Sequence, residues 1–176
     1  MIVVTVFGSS RPAPGSPDYE TACALGAALA RAGFTLCTGG YGGTMEGVSR
    51  GAREAGGHTI GVTAESFRAP ANAWVAEEVR VKSWEERLFE LIRRGEGYVV
   101  LPGGTGTLAE LAVVWEMLNK GFLARKPLVV LGDFWRAVLE VIEQKQDAAH
   151  LVLQAESPQE AATLLQTHLR EGGSSL

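Results

Sequence analysis

Short apolar runs alternate with longer stretches of helical periodicity along the chain. Ile2-Val3-Val4-Thr5-Val6-Phe7 is almost continuously apolar, the pattern of a strand buried on both faces. Gly8-Ser9-Ser10 breaks it, and Pro12, Pro14 and Pro17 hold the next loop out of helix. Ser16-Pro17-Asp18 opens a helix in which Ala22, Leu25, Ala28 and Leu29 recur at helical spacing until Gly33. Phe34-Thr35-Leu36-Cys37 predicts a second strand running into Thr38-Gly39-Gly40-Tyr41-Gly42-Gly43. A helix from Thr44 to about Ala55 follows, closed by Gly56-Gly57. Thr59-Ile60-Gly61-Val62 predicts a third strand, residues 64–76 read as irregular, and Val79 and Val81 mark a fourth strand.

The second half repeats the scheme. Trp84 to Arg94 predicts a helix and Tyr98-Val99-Val100-Leu101 a strand. Pro102-Gly103-Gly104-Thr105-Gly106-Thr107 then turns into a helix reaching Asn119. Pro127-Leu128-Val129-Val130-Leu131 predicts a strand, followed by a helix from Phe134 to about Gln144 and a short strand at His150-Leu151-Val152-Leu153. Ser157-Pro158 starts a last helix to about Leu169. The expected organisation is one domain over residues 1–171 with a flexible tail at 172–176.

This alternation predicts an α/β fold: a doubly wound, mostly parallel sheet with helices on both faces, Rossmann-like, in a single domain. In such sheets ligands bind beyond the carboxyl ends of the strands. Three glycine-rich segments, 8–10, 39–43 and 102–106, each follow a predicted strand and should line that edge. A helix that begins just after a glycine turn leaves unpaired N–H groups and a positive dipole end, a place for phosphate. The candidate phosphate and substrate contacts are therefore Gly8 and Ser9; Gly40, Gly42, Gly43, Thr44 and Met45; and Gly103, Gly104, Thr105, Gly106 and Thr107.

The surrounding residues narrow the chemistry. No lysine follows any of these loops, which argues against a P-loop nucleoside triphosphatase. Gly104-Thr105-Gly106-Thr107-Leu108-Ala109 fits a dinucleotide fingerprint, but Lys126 rather than an acid lies near the ribose offset, so a nicotinamide oxidoreductase is disfavoured. The lysines Lys82, Lys120, Lys126 and Lys145 adjoin none of the loops, which rejects pyridoxal phosphate chemistry. Glu110 lies in the first turn of the helix entered through Thr107. One turn from a phosphate cradle, a carboxylate can stabilise positive charge on a sugar or activate water.

Composition removes other classes. A net charge of −4 disfavours a nucleic-acid polymer or an anionic membrane as partner. Two cysteines, Cys23 and Cys37, cannot make a disulfide scaffold, and both read as core residues. His58, His150 and His168 show no metal-ligand spacing, so no metal is expected. No apolar run approaches the ~20 residues of a membrane helix, and Met1 opens onto a strand without a basic leader. A cytoplasmic location is expected.

Pro102-Gly103-Gly104-Thr105-Gly106-Thr107-Leu108-Ala109-Glu110 matches Pro-Gly-Gly-x-Gly-Thr-x-x-Glu in full, and here the chain resembles the Lonely-guy (LOG) family of phosphoribohydrolases, once called lysine decarboxylase-like. Looser matches are Phe7-Gly8-Ser9-Ser10, Gly39 to Gly47, and Gly56 to Val62, so the likeness spans roughly residues 2–135. The resemblance implies cleavage of the N-glycosidic bond of a nucleoside 5′-monophosphate, such as a cytokinin riboside monophosphate or AMP, to free base and ribose 5-phosphate. It implies Glu110 and Arg87 as catalytic residues, no cofactor, and a homodimer or higher homo-oligomer. The family's arginine lies in a Met-His-x-Arg-Lys segment. Trp84-Glu85-Glu86-Arg87-Leu88 stands there, with Leu88 in place of the lysine. Leu111, Val114, Trp115 and Leu118 supply either a dimer surface or a stripe buried on the sheet, and Trp84 and Trp115 are candidates to stack on a base. The alternative is a non-catalytic nucleotide or molybdenum-cofactor carrier of the same fold.

Overall fold

The computed structural model describes residues 1–123 and 126–171, so the expected tail at 172–176 lies outside the described residues. The elements run β1 (Val3–Phe7), α1 (Pro17–Arg31), β2 (Thr35–Thr38), α2 (Thr44–Glu54), β3 (Thr59–Ala64), β4 (Glu77–Val81), α3 (Trp84–Arg94), β5 (Gly97–Val100), α4 (Thr105–Asn119), β6 (Leu128–Leu131), α5 (Arg136–Glu143), β7 (Val152–Ala155) and α6 (Pro158–Glu171). Short 3-10 turns lie at Glu65–Phe67 and Ala149–Leu151.

The strands form one seven-stranded sheet in the order β4-β3-β2-β1-β5-β6-β7, and every pairing is parallel. Alternation along each strand sends successive side chains to opposite faces. Val4, Val6, Leu36 and Val99 therefore pack under α1, α2 and α6, while Phe7, Cys37, Tyr98 and Val100 pack under α3, α4 and α5. A central strand covered on both faces must be apolar throughout, which is the run seen in β1. The edge strand β4 alternates instead and shows Glu77, Glu78 and Arg80 to solvent, charges that discourage pairing with another edge.

The predicted strands and helices are all present, with shifts at the ends. The last strand pairs as Leu128↔Val152 to Leu131↔Ala155, two residues later than expected, because the chain from Ala149 to Leu151 coils into a turn. Glu143 holds that turn by accepting from the backbone N–H groups of Ala148 and Ala149. No described helix is long and apolar enough to cross a membrane.

After β1 the chain winds toward β4; after β5 it winds toward β7. The crevice between those two strands is the switch point of the sheet, and the loops leaving β1 and β5 open onto it.

Candidate active site

The loop after β1 sits between the neighbours of the other two glycine segments. A Cβ there would sit 2.2 Å from Thr44 Oγ1 and 3.2 Å from Leu101 Cβ, so the loop after β1 touches both the start of α2 and the end of β5. Only glycine permits that approach. The Thr44 N–H and hydroxyl both donate to the Ser9 carbonyl, at 2.8 and 3.0 Å. Thr44 is buried and already bonded in this way, so its hydroxyl serves to join two loops. Ser9 Oγ accepts from the Arg11 N–H and stays partly exposed.

Helix α4 starts differently. Its N-cap, Gly104, provides no side-chain hydrogen bond, and the first intrahelical bond is Leu108 N–H to Gly104 O. The N–H groups of Thr105, Gly106 and Thr107 have no partner among the described residues. Because α4 already begins at Thr105, Glu110 falls in its second turn and not, as expected, its first; no acid occupies the first turn, and Gly104, Thr105 and Gly106 are exposed. Together these make an anion cradle with roughly half a positive charge at its mouth. Helix α2 carries Glu46 in its own first turn and has lent its first N–H to Ser9, so it is the weaker place for phosphate.

Arg87 reaches inward from α3 and is 6% exposed. Its Nε donates to Val62 O at 2.8 Å, and one terminal nitrogen donates to Gly39 O at 2.9 Å and toward Met45 Sδ at 3.7 Å. The rings of Tyr41 and Phe67 lie 5.2 and 5.5 Å from its guanidinium carbon. A Cβ on Gly39 would fall 1.7 Å from that terminal nitrogen, so glycine there makes room for the arginine. Burial pulls Arg87 below the usual arginine range, and the Glu110 carboxylate, then Tyr41, oppose that shift. With Nε and one terminal nitrogen bound to carbonyls, Arg87 offers the site its other terminal nitrogen, not a two-pronged fork.

Glu110, one turn into α4, has no hydrogen-bond or ion-pair partner among the described residues. It keeps a partly exposed rim, but dense protein surrounds it, and burial pushes its carboxyl from 4.5 to about 7 while Arg87 pulls the other way. Near neutrality such a group exists in both protonation states, the condition for moving a proton or meeting a developing cation.

The structure thus gathers Gly8, Ser9, Gly42, Gly103, Gly104, Thr105, Gly106, Arg87 and Glu110 along one end of the sheet, while Gly40 and Gly43 are buried there, packed on Gly61 and Thr63 and on the Ser9-Ser10 backbone. Other candidates lie deeper. Met45 is buried beneath Arg87, and Thr107 is buried with its hydroxyl against Gly103. Trp115 packs on the sheet and donates to Ala148 O at 2.9 Å, which leaves its ring no face for a base. Leu111 and Val114 are buried on the sheet as well, so the stripe they form is core; Leu118 packs partly against it. Leu88 is 5% exposed in the same core, away from solvent. Burial pushes the Cys37 thiol to about 12, which disarms it as a nucleophile.

Three residues escaped the sequence reading. The Tyr41 hydroxyl donates to Ala64 O and accepts from Ala64 N–H, at 3.2 and 2.9 Å. Asn72 Nδ2 donates to Gly40 O at 3.2 Å and Tyr41 O at 2.9 Å, and its N–H also donates to Gly40 O. Phe67 meets Tyr41 edge to face at 5.6 Å. Tyr41 stood inside the glycine segment, and that was its signal. Asn72 and Phe67 sit in a stretch without periodicity, and nothing local marks them.

Comparison with known proteins agrees with this architecture. A family model described as the SLOG cluster4 family matches residues 1–162. The chain is 34% identical over 146 residues to the cytokinin riboside 5′-monophosphate phosphoribohydrolase of Rhodococcoides fascians, covering 80% of this chain and 73% of that protein. It is 40% identical over 129 residues to the enzyme of the same name from Mycobacterium marinum, covering 70% of this chain and 67% of the other. This chain belongs to the LOG family. Among solved structures, the molybdenum cofactor binding protein of Rippkaea orientalis superposes with a TM-score of 0.77 at 26% identity, covering 96% of each chain. The LOG fold is thus common to named hydrolases and to a cofactor-binding protein, and the residues of the site must separate the two activities.

Proposed function

We propose that this LOG-family chain is a phosphoribohydrolase: it adds water across the N-glycosidic bond of a nucleoside 5′-monophosphate. Water oxygen bonds to the sugar C1′, the C1′–N bond breaks, and the base leaves with a proton, giving free base and ribose 5-phosphate. The observation that carries the reading is the buried Glu110 carboxyl, raised to about 7, one turn from the unpaired N–H groups of α4 and within the field of Arg87. In this reading Gly103 to Thr107 hold phosphate. Ionised Glu110 orients water and stabilises the cationic sugar, and the free nitrogen of Arg87 positions substrate or assists the departing base. Partly exposed Ser9 and Gly42 face the sugar, Gly42 with room where a Cβ would stand, while Gly8, Gly40 and Gly43 let the loops behind them pack closely. The hydrolase names of the relatives support this choice.

The carrier reading rests on the structural likeness to a molybdenum cofactor binding protein. It accounts less well for Glu110, since a passive anion site gains nothing from a carboxylate beside it.

We also propose a cytoplasmic homo-oligomer assembled on the outer side of α4, where Leu108, Ala112 and, just past the helix, Phe122 are exposed. Charge placed there, as in Leu108→Glu, should lower the mass measured by analytical ultracentrifugation. An unchanged mass discards this face.

The functional test incubates the protein with AMP, other nucleoside monophosphates and N6-substituted adenosine monophosphates, and quantifies base and ribose 5-phosphate together. Equimolar products from wild type, lost in Glu110→Gln, support the hydrolase. Tight binding with no release of base favours the carrier.

A further inference from the structure

Phe67 is a large apolar ring left 45% exposed at the ligand end of the sheet. It ends the 3-10 turn Glu65–Phe67, immediately after β3. The next residue, Arg68, has φ 51 and is the one non-glycine with positive φ among the described residues. That conformation is unfavourable for an arginine and persists only where its surroundings impose it.

The ring's neighbours are fixed. Its edge-to-face partner Tyr41 is bolted to Ala64 through both hydroxyl bonds. The chain between Arg68 and β4 forms a strap, pinned by Asn72 to the carbonyls of Gly40 and Tyr41. Arg87 packs against both rings, and the Glu110 carboxylate is the largest charge offsetting the cost of its burial. Phe67 thus packs on a guanidinium that also lies within the field of Glu110.

Distance along the sheet agrees. From the phosphate cradle after β5 to the turn after β3 the crevice crosses β1 and β2, three strand spacings or about 14 Å. A nucleotide laid along it meets the cradle with its phosphate and Glu110 with its sugar, and its base extends toward Phe67. A half-exposed aromatic face suits a planar base of any identity.

We infer that Phe67, held by Tyr41 and the Asn72 strap, is the stacking platform for the nucleobase. This rests on the phosphoribohydrolase reading for the direction of the substrate, but its test is separate. Calorimetric binding of AMP and of ribose 5-phosphate is measured for chains with Phe67, Phe67→Ala and Phe67→Tyr, each carrying Glu110→Gln so that AMP is not consumed, alongside kcat and KM for base release with Glu110 intact. Phe67→Ala should weaken AMP binding about tenfold and raise KM similarly while leaving ribose 5-phosphate affinity unchanged, and Phe67→Tyr should restore both. Equal weakening of AMP and ribose 5-phosphate assigns Phe67 to the upkeep of Arg87 and overturns the inference. So does unaltered AMP binding in Phe67→Ala, even when base release proves the hydrolase. Phe67-dependent AMP binding with no cleavage by wild type sustains the platform and discards the hydrolase, and a chain with Phe67 that binds neither ligand discards both.

Discussion

Replacing Glu110 by glutamine should change how stability depends on pH, and the structure gives the size. The folded chain raises the Glu110 carboxyl from 4.5 to about 7. Between those values folded protein keeps a proton that unfolded protein releases. Stability therefore falls as pH rises through this window and is level above it. At about 1.4 kcal/mol per pH unit the whole interval amounts to roughly 3 kcal/mol. The carboxyl has a partly open rim, and solvent there screens the effect, which leaves about 1–2 kcal/mol. Glutamine has the same shape and no charge, so Glu110→Gln should be more stable than wild type by that amount at pH 8 and near parity at pH 5. Urea unfolding at both pH values measures it, with the difference between the two proteins cancelling every other titrating group. Parallel stability curves from pH 5 to 8 would refute the claim that burial strains this carboxylate. The same ionisation sets activity: if ionised Glu110 is the working form, kcat/KM should climb through an apparent pKa near 7, and Glu110→Gln should lose about a hundredfold or more.

Three further substitutions separate packing from ligand contact. Gly39→Ala puts a methyl 1.7 Å from the Arg87 terminal nitrogen, so it should displace the arginine, lower the thermal midpoint and abolish turnover; a variant with normal activity contradicts the described position of Arg87. Gly106→Ala meets no atom within 4 Å and replaces glycine at the second position of α4, so it should keep or slightly raise stability in urea, by less than about 0.5 kcal/mol, while raising KM, because the methyl stands where phosphate approaches. Leu88→Lys, which brings back the family's cation, should cost about 3 kcal/mol or more in chemical denaturation, since position 88 is 5% exposed in an apolar cluster; an undiminished midpoint would mean that the lysine escapes to solvent.

Much of this molecule was legible in local pattern. Continuous apolar runs gave β1, β5 and β6 because a central strand has no wet face, and glycine breaks after three of the strands pointed to the ligand edge. The unpaired N–H groups at the start of α4 were readable because a glycine turn followed by a helix start is a local arrangement. Thr44, Met45 and Trp115 were less legible, since a short polar or soft side chain near a loop serves equally as a contact or as packing. The motif stripe Leu111, Val114 and Trp115 likewise could not choose between sheet and partner until α4 was laid on the sheet.

Sequence alone determined the elements, their parallel winding and the glycine edge, because these depend on periodicity and turn chemistry, and it put forward Arg87 and Glu110 as candidates through a family resemblance. Tertiary structure alone decided that Arg87 is bound to two carbonyls and beside two rings, that Glu110 is held near neutrality, and that Phe67 and Asn72 stand at the crevice at all. Those properties arise from burial and from contacts between segments tens of residues apart, and neither leaves a trace in the spacing of neighbouring residues.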